Sequence, residues 1–486
     1  MSHAGVSPST ASTSTRATSV LLALVLLLAG AAVGTVVGVG PASADTAAPT
    51  QWDSRIAPYA KIAEKLRGLT FDAPVPVRFL SPAKFERTVT TDDTSLTAAD
   101  RRDLRRYTGL LRALGLVTGK VDLFRATNEA NGAGTLAYYS FEDKRITIRG
   151  QRLTPAVRST LVHELTHALQ DQHFSIGDRL TALDKRADDA SAEQAVLDAV
   201  VEGDAQHVES LYRDSLTARQ RRALDRDQRR ASGTANQRLQ RVPTVIVTLM
   251  TAPYTLGQSL VETFAASGGT TSQDKLIQTP PKHETALLDP FRALAGRTGA
   301  LEVPAPGLRK GETRFDSGEL GVLTWYLMLA ERLPLRTALA AADGWGGDSY
   351  VAFAEHGRSC ARMTYVGRTP AATTRMRGAL HRWVAKAPRT RASVRRDGRL
   401  VRFTSCDPGT SSRIGKDASE RAIDLAATRT YLALSLLQAG APATTARCIA
   451  GRLVHAFPTP ALLDPSFGAH NRAVQVRLRR LVARCL

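Results

Sequence analysis

Cysteine is almost absent from this 486-residue sequence: there is none before Cys360, and only Cys406, Cys448 and Cys485 follow it. None stand in C-x-x-C spacing, which argues against a thiolate zinc site, and a propeptide that blocks a metal through a cysteine is excluded. No run after residue 40 reads as apolar for long enough to span a bilayer, and no internal repeat is present. There is also no single basic tract and no recognised nucleic-acid-binding motif, although the formal net charge is +20. A specific nucleic-acid binder is therefore not expected. The arginines are spread over most segments, as an arginine-rich composition on solvated faces would place them.

Residues 1–18 are rich in Ser and Thr with the single Arg16, residues 20–40 are apolar, and Ala42-Ser43-Ala44 is a small-x-small site. This reads as a secretory signal peptide cut after Ala44, with an uncleaved anchor over residues 20–40 as the alternative. Cleavage would remove only Arg16 from the charge and leave +19. No cysteine lies near the site, which argues against a lipoprotein. For an exported chain the four cysteines imply two disulfides out of three pairings, and Cys360 with Cys406 and Cys448 with Cys485 are the pairs expected. The positive field would attract anionic cell-wall polymers or a membrane surface.

Residues 154–173 carry the chemistry. Thr154 is a plausible N-cap and Pro155 a first helical residue. Inside the helix stands H-E-x-x-H: His163 and His167, at i and i+4, project from one face and can bind one Zn2+. Glu164 follows His163, where a general base for a metal-activated water belongs. Leu161, Val162, Leu165 and Leu169 supply the apolar helical context that gives the motif weight. A catalytic zinc takes a third protein ligand. His173 sits where H-E-x-x-H-x-x-G-x-x-H would place one, but Gln170 replaces the glycine that lets the chain turn back. In a continuing helix, at about 100° per residue, His173 points elsewhere. The better candidate is Glu202, on a second helix capped by Asp188 or Asp189 and running to about Tyr212, with Ala195 and Ala199 on its face. Gly203 beside it implies close approach of that helix to the zinc helix. Asp204 and His207 are adjacent alternatives.

These residues resemble a gluzincin, the zinc peptidase clan with H-E-x-x-H and a downstream Glu. Residues 163–168 are similar to the zinc helix of thermolysin-like enzymes, and Asp171 matches an aspartate there. More narrowly, the chain resembles a family of exported bacterial neutral zinc metallopeptidases. The shared marks are residues 163–172, Glu202-Gly203-Asp204-Ala205, a Pro280-Pro281 segment containing Glu284, and Gly344-Trp345-Gly346-Gly347-Asp348. The resemblance spans roughly residues 105–385. It implies His163, His167 and Glu202 as zinc ligands, Glu164 as catalytic base, and a peptide or protein substrate. Two positions depart from it. Gln206 stands where thermolysin-like enzymes carry a supporting Asp, and Lys282-His283-Glu284-Thr285 replaces Ser-Thr-Glu-Gln.

The fold expected is α+β and predominantly helical, a zincin-like core with a small hairpin or sheet before the H-E-x-x-H helix. That hairpin is residues 136–140 and 146–148, serving either as a substrate-binding edge or as scaffold alone. Residues 45–390 would form the metallopeptidase domain and residues 391–486 a C-terminal disulfide-containing module. Residues 175–189 read as a polar connector, 217–241 as a solvated helix and loop, and 242–264 as a core helix ended by Gly268-Gly269. Residues 344–348 read as a turn anchored by Trp345. Tyr254 and His283 are candidate donors to a developing oxyanion. The leading expectation is an exported zinc metallopeptidase. A non-catalytic, metal-containing wall- or surface-binding protein is the alternative.

Overall fold

The computed structural model describes residues 49–186, 190–386, 392–413, 415–464 and 471–486. The expected signal peptide or anchor, and the cap candidates Asp188 and Asp189, lie outside the described residues. The chain begins with α1 (Ala57–Arg67), β1 (Val77–Leu80), α2 (Pro82–Val89), α3 (Ala98–Ala113) and α4 (Leu123–Gly134). The hairpin then forms as β2 (Ala137–Ser140) and β3 (Arg145–Arg149). β1 pairs parallel and β2 antiparallel with β3, so the sheet order is β1-β3-β2 and β2 is an edge strand.

α5 (Pro155–Phe174) follows. Thr154 accepts from the N–H of Val157 at 3.4 Å, and Pro155 occupies the first turn, where its missing N–H is harmless. From Leu161 to Asp171 every residue of α5 is buried. A helix hidden all round needs neighbours on every side, and α1, α7, α8 and β2 provide them. α6 (Ile176–Asp184) replaces the expected polar connector, because Ile176 and Leu180 give it a buried stripe. α7 (Ser191–Ser215) is the expected second helix. α8 (Ala218–Leu239) is one continuous helix rather than helix and loop; a Thr217/Gln220 capping box starts it, and Asp227 accepts from the N–H of Ala156 at 2.9 Å.

α9 (Thr244–Gln278) packs along α7 and breaks at Gly268 and Gly269, where two helical stretches meet at a kink. By length and composition α9 passes as a membrane span, contrary to the sequence expectation, but half of its most apolar window is buried inside the fold. The close approach of Gly203 is to this helix, not to α5. A Cβ on Gly203 would overlap the backbone of Gly257, and one on Gly257 would overlap the carbonyl of Ala199. The two glycines let the α7 and α9 backbones touch. Gly257→Ala should therefore lower stability by about 1–3 kcal/mol, through forced separation of the helices. A urea midpoint equal to that of the parent chain would show that the helices tolerate the methyl group.

After α10 (Thr285–Leu288) and α11 (Pro290–Leu294) comes a second sheet. Its strands are β4 (Thr313–Gly318), β5 (Trp345–Glu355), β6 (Arg358–Gly367), β7 (Ala392–Asp397) and β8 (Leu400–Cys406), in order β4-β5-β6-β8-β7, all antiparallel. Helices α12 (Val322–Ala330), α13 (Leu335–Ala342) and α14 (Pro370–Ala385) are interleaved with these strands. α15 (Ser419–Gln438), α16 (Ala443–Ala456), α17 (Thr459–Leu462) and α18 (Arg472–Val482) complete the chain. Trp345 opens β5 instead of anchoring a turn, and it is buried with Trp325 and Trp383. The domain boundary expected at residue 390 falls within this sheet, since β8 pairs with β6 and α15 packs on α9. Disulfides join Cys360 to Cys406 and Cys448 to Cys485, the pairing expected, and they accord with an oxidising environment. The architecture is α+β with two small sheets.

Candidate metal centre

The i, i+4 spacing puts both histidines of α5 on the face turned to α7. His163 Nε2 lies 3.1 Å from His167 Nε2 and 3.2 Å from Glu202 Oε2, and His167 Nε2 lies 3.4 Å from that oxygen. All three side chains are buried, and their ligand atoms fall within 4.8 Å of one another. Glu202 Oε1 is buried without a hydrogen-bond partner. No lysine or arginine among the described residues bonds Glu164 or Glu202. Two imidazole nitrogens and a carboxylate turned on one point, with an orphaned oxygen beside them, are a donor set that could hold one metal ion.

Neighbouring residues hold each of these groups in place. His167 Nδ1 faces Gln170 Oε1 at 2.9 Å, and Gln170 donates to Val201 O at 2.9 Å and Asp204 Oδ2 at 2.8 Å. Asp204 also receives Arg67 Nε at 2.8 Å and the amide of Gln273. His163 Nδ1 faces Glu209 Oε2 at 3.5 Å, while Glu209 Oε1 accepts from Ser159 at 2.6 Å. Glu164 Oε2 accepts the N–H of Tyr139, on edge strand β2, at 2.7 Å. Asp171 secures that strand, accepting from the Tyr139 hydroxyl at 2.9 Å and Lys144 at 2.6 Å. Tyr254 stacks on His163, with ring centroids 5.9 Å apart and planes at 27°.

Burial sets the electrostatics, and the neighbours modify it. It pushes Glu164 up to about 7, although His163, His167 and the Tyr139 N–H oppose the rise. Burial also penalises the Glu202 carboxylate, but His167 and His163 outweigh it and hold the group near about 2. Both histidines are raised despite their burial, His163 by Glu202 and Glu209 and His167 by Glu202. The Tyr254 hydroxyl is pushed well up by burial and by Glu202, Glu164 and Glu209, so it keeps its proton.

No known family, curated protein or solved structure matches this chain. The site is read from its own geometry.

His163, His167, Glu202 and Glu164 are brought together as expected, and Tyr254 joins them. The other candidates are not. His173 points to Thr70 O at 2.7 Å, Asp204 is engaged with Arg67, and His207 faces Glu262 at 3.6 Å. His283 pairs with Glu319 at 3.1 Å and lies against Trp345. A second grouping, Glu355 with Cys360 and Cys406, offers no thiolate because both sulfurs are in a disulfide. Gln170 and Glu209 went unrecognised in the sequence. Glu209 stands seven residues after Glu202, two turns along the same helical face, which is the signal that would have found it. Arginines dispersed in sequence also meet in one groove of about 1290 Å³, where Arg102, Arg105, Lys120 and Arg358 are among the lining side chains.

Proposed function

We propose that this chain is an exported zinc metallopeptidase of the gluzincin kind, in which His163, His167 and Glu202 hold the ion and Glu164 is the catalytic base. The observation that carries it is the convergence of the three ligand atoms with the Glu164 carboxyl one residue along the same helix. A zinc ion held there would supply Lewis-acid polarisation of the scissile carbonyl and acidify a water. Glu164 accepts the proton of the attacking water and passes it to the departing amine nitrogen. The Tyr139 N–H orients Glu164 for that transfer. Tyr254, which keeps its proton, donates to the carbonyl oxygen as negative charge develops on it.

The basic groove favours a second reading, a surface-binding protein for anionic wall polymers or a membrane surface, with the triad as a structural site. One experiment separates the two. The purified chain is assayed for bound metal and for cleavage of a mixed peptide library, before and after chelation and zinc return. About one zinc per chain, with cleavage lost on chelation and restored by zinc, supports the peptidase. Stoichiometric zinc with no peptide cut puts the binding protein first.

A further inference from the structure

Asp198 lies one helical turn before Glu202 on α7. It is 2% exposed, and neither of its carboxylate oxygens has a hydrogen-bond partner. A buried carboxyl with both oxygens unsatisfied costs free energy in a folded chain and calls for a physical reason. Asp198 lines a cavity of about 50 Å³ between α7, α9 and the segment running from Glu284 to Thr324. A single water needs only about 10–15 Å³ measured this way, so the space exceeds one water several-fold.

Two further carboxylates, Glu284 and Glu319, line the same cavity, and no lysine, arginine or histidine does. The rest of the lining is small or apolar, including Ala195, Leu249, Leu256 and Leu323. Glu284 is buried and accepts the N–H of Leu323 at 3.0 Å. Gly321 stands directly against it, where a Cβ would overlap its carboxylate. Glu319 also pairs with His283 on its far side. Burial raises both deep carboxyls, with Glu202 adding to the rise at Asp198 and Glu319 and Asp348 adding to it at Glu284. A positive charge in the cavity would favour the ionised forms of the carboxyls that line it.

A bare metal ion is the poorer occupant, because among the described residues these three carboxylates do not gather within 4.8 Å as the triad does. Wider spacing with apolar walls suits an alkyl stem ending in a cationic head. We propose that this cavity binds one organic cation, an ammonium or guanidinium group, with Asp198 and Glu284 as its counter-charges. Resting on the peptidase reading, it also follows that the cavity selects a basic side chain or a free amino terminus in peptides bound at the adjacent triad.

The test uses n-butylammonium and n-butylguanidinium, with n-butanol as the neutral control, titrated into the full chain and followed by calorimetry. Both cations should bind saturably and the alcohol should not. Asp198→Asn, which keeps the shape, should weaken the cations on the order of ten- to a hundredfold, and Glu284→Gln should weaken them in the same direction. Zinc content and thermal midpoint report whether each variant has folded. Cation binding that is absent, or unchanged by both substitutions, overturns the proposal and leaves a cavity holding water only. In a second arm, cleavage of matched peptides compares Lys with norleucine and free with acetylated amino termini. A preference that disappears with norleucine identifies a side chain, and one that disappears on acetylation identifies the terminus. Asp198-dependent cation binding without any cleavage would retain the cavity and reject the peptidase. Cleavage with neither cation binding nor a basic preference would do the reverse.

Discussion

Glu164→Gln should retain about one zinc per chain and lose peptide turnover by on the order of 10²–10⁴-fold. That loss corresponds to roughly 3–5 kcal/mol of barrier. The substitution isolates the proton transfer, because glutamine keeps an oxygen for the Tyr139 N–H, now 2.7 Å from Glu164 Oε2. It also removes no ligand atom, since the converging donors belong to His163, His167 and Glu202. The comparison is with Glu202→Gln, which should lose zinc and activity together. Single-turnover rates and metal content, measured on the same preparations, check both. A Glu164→Gln chain that cuts peptides at the parent rate would remove Glu164 from the mechanism and, with it, the reading of this helix as catalytic.

The second large effect is expected far from the reacting bond. Arg67 is 1% exposed and binds Asp204 at 2.8 Å and Asp274 at 2.6 Å. Arg67→Met leaves Asp204 buried with its charge uncompensated, which should cost about 3–5 kcal/mol of stability. The same change should weaken zinc binding about 10–100-fold, because Asp204 holds Gln170 and Gln170 holds His167. Urea unfolding and competition with a chromophoric chelator would measure the two effects separately. Stability lost with metal affinity intact would show that the Arg67–Asp204 pair braces α1 against α7 without orienting the ligand. No loss of either would mean that solvent or a neighbouring residue compensates Asp204.

The sequence by itself determined the local part of this protein. H-E-x-x-H on a helix places two imidazoles on one face whatever surrounds it, because 3.6 residues per turn dictate that spacing. Thr154 and Pro155 mark where the helix starts for equally local reasons, and the two short runs at residues 136–140 and 146–148, flanking the turn-like Glu142-Asp143-Lys144, mark the hairpin. Glu202 was legible as a candidate but not as a neighbour. Its choice over Asp204 and His207 depends on the rotation of α7 against α5, and that rotation is set by packing. Only the tertiary structure decided that Gly203 meets Gly257 rather than the zinc helix. The structure alone also decided that Arg67 reaches Asp204 across 137 positions. It likewise showed that Trp345 begins a buried strand and that Asp198 lines a cavity walled in part by residues more than eighty positions away. Periodicity reports which face of an element is apolar or acidic. It carries no information about which distant element that face meets, because the meeting is chosen by burial summed over the whole chain.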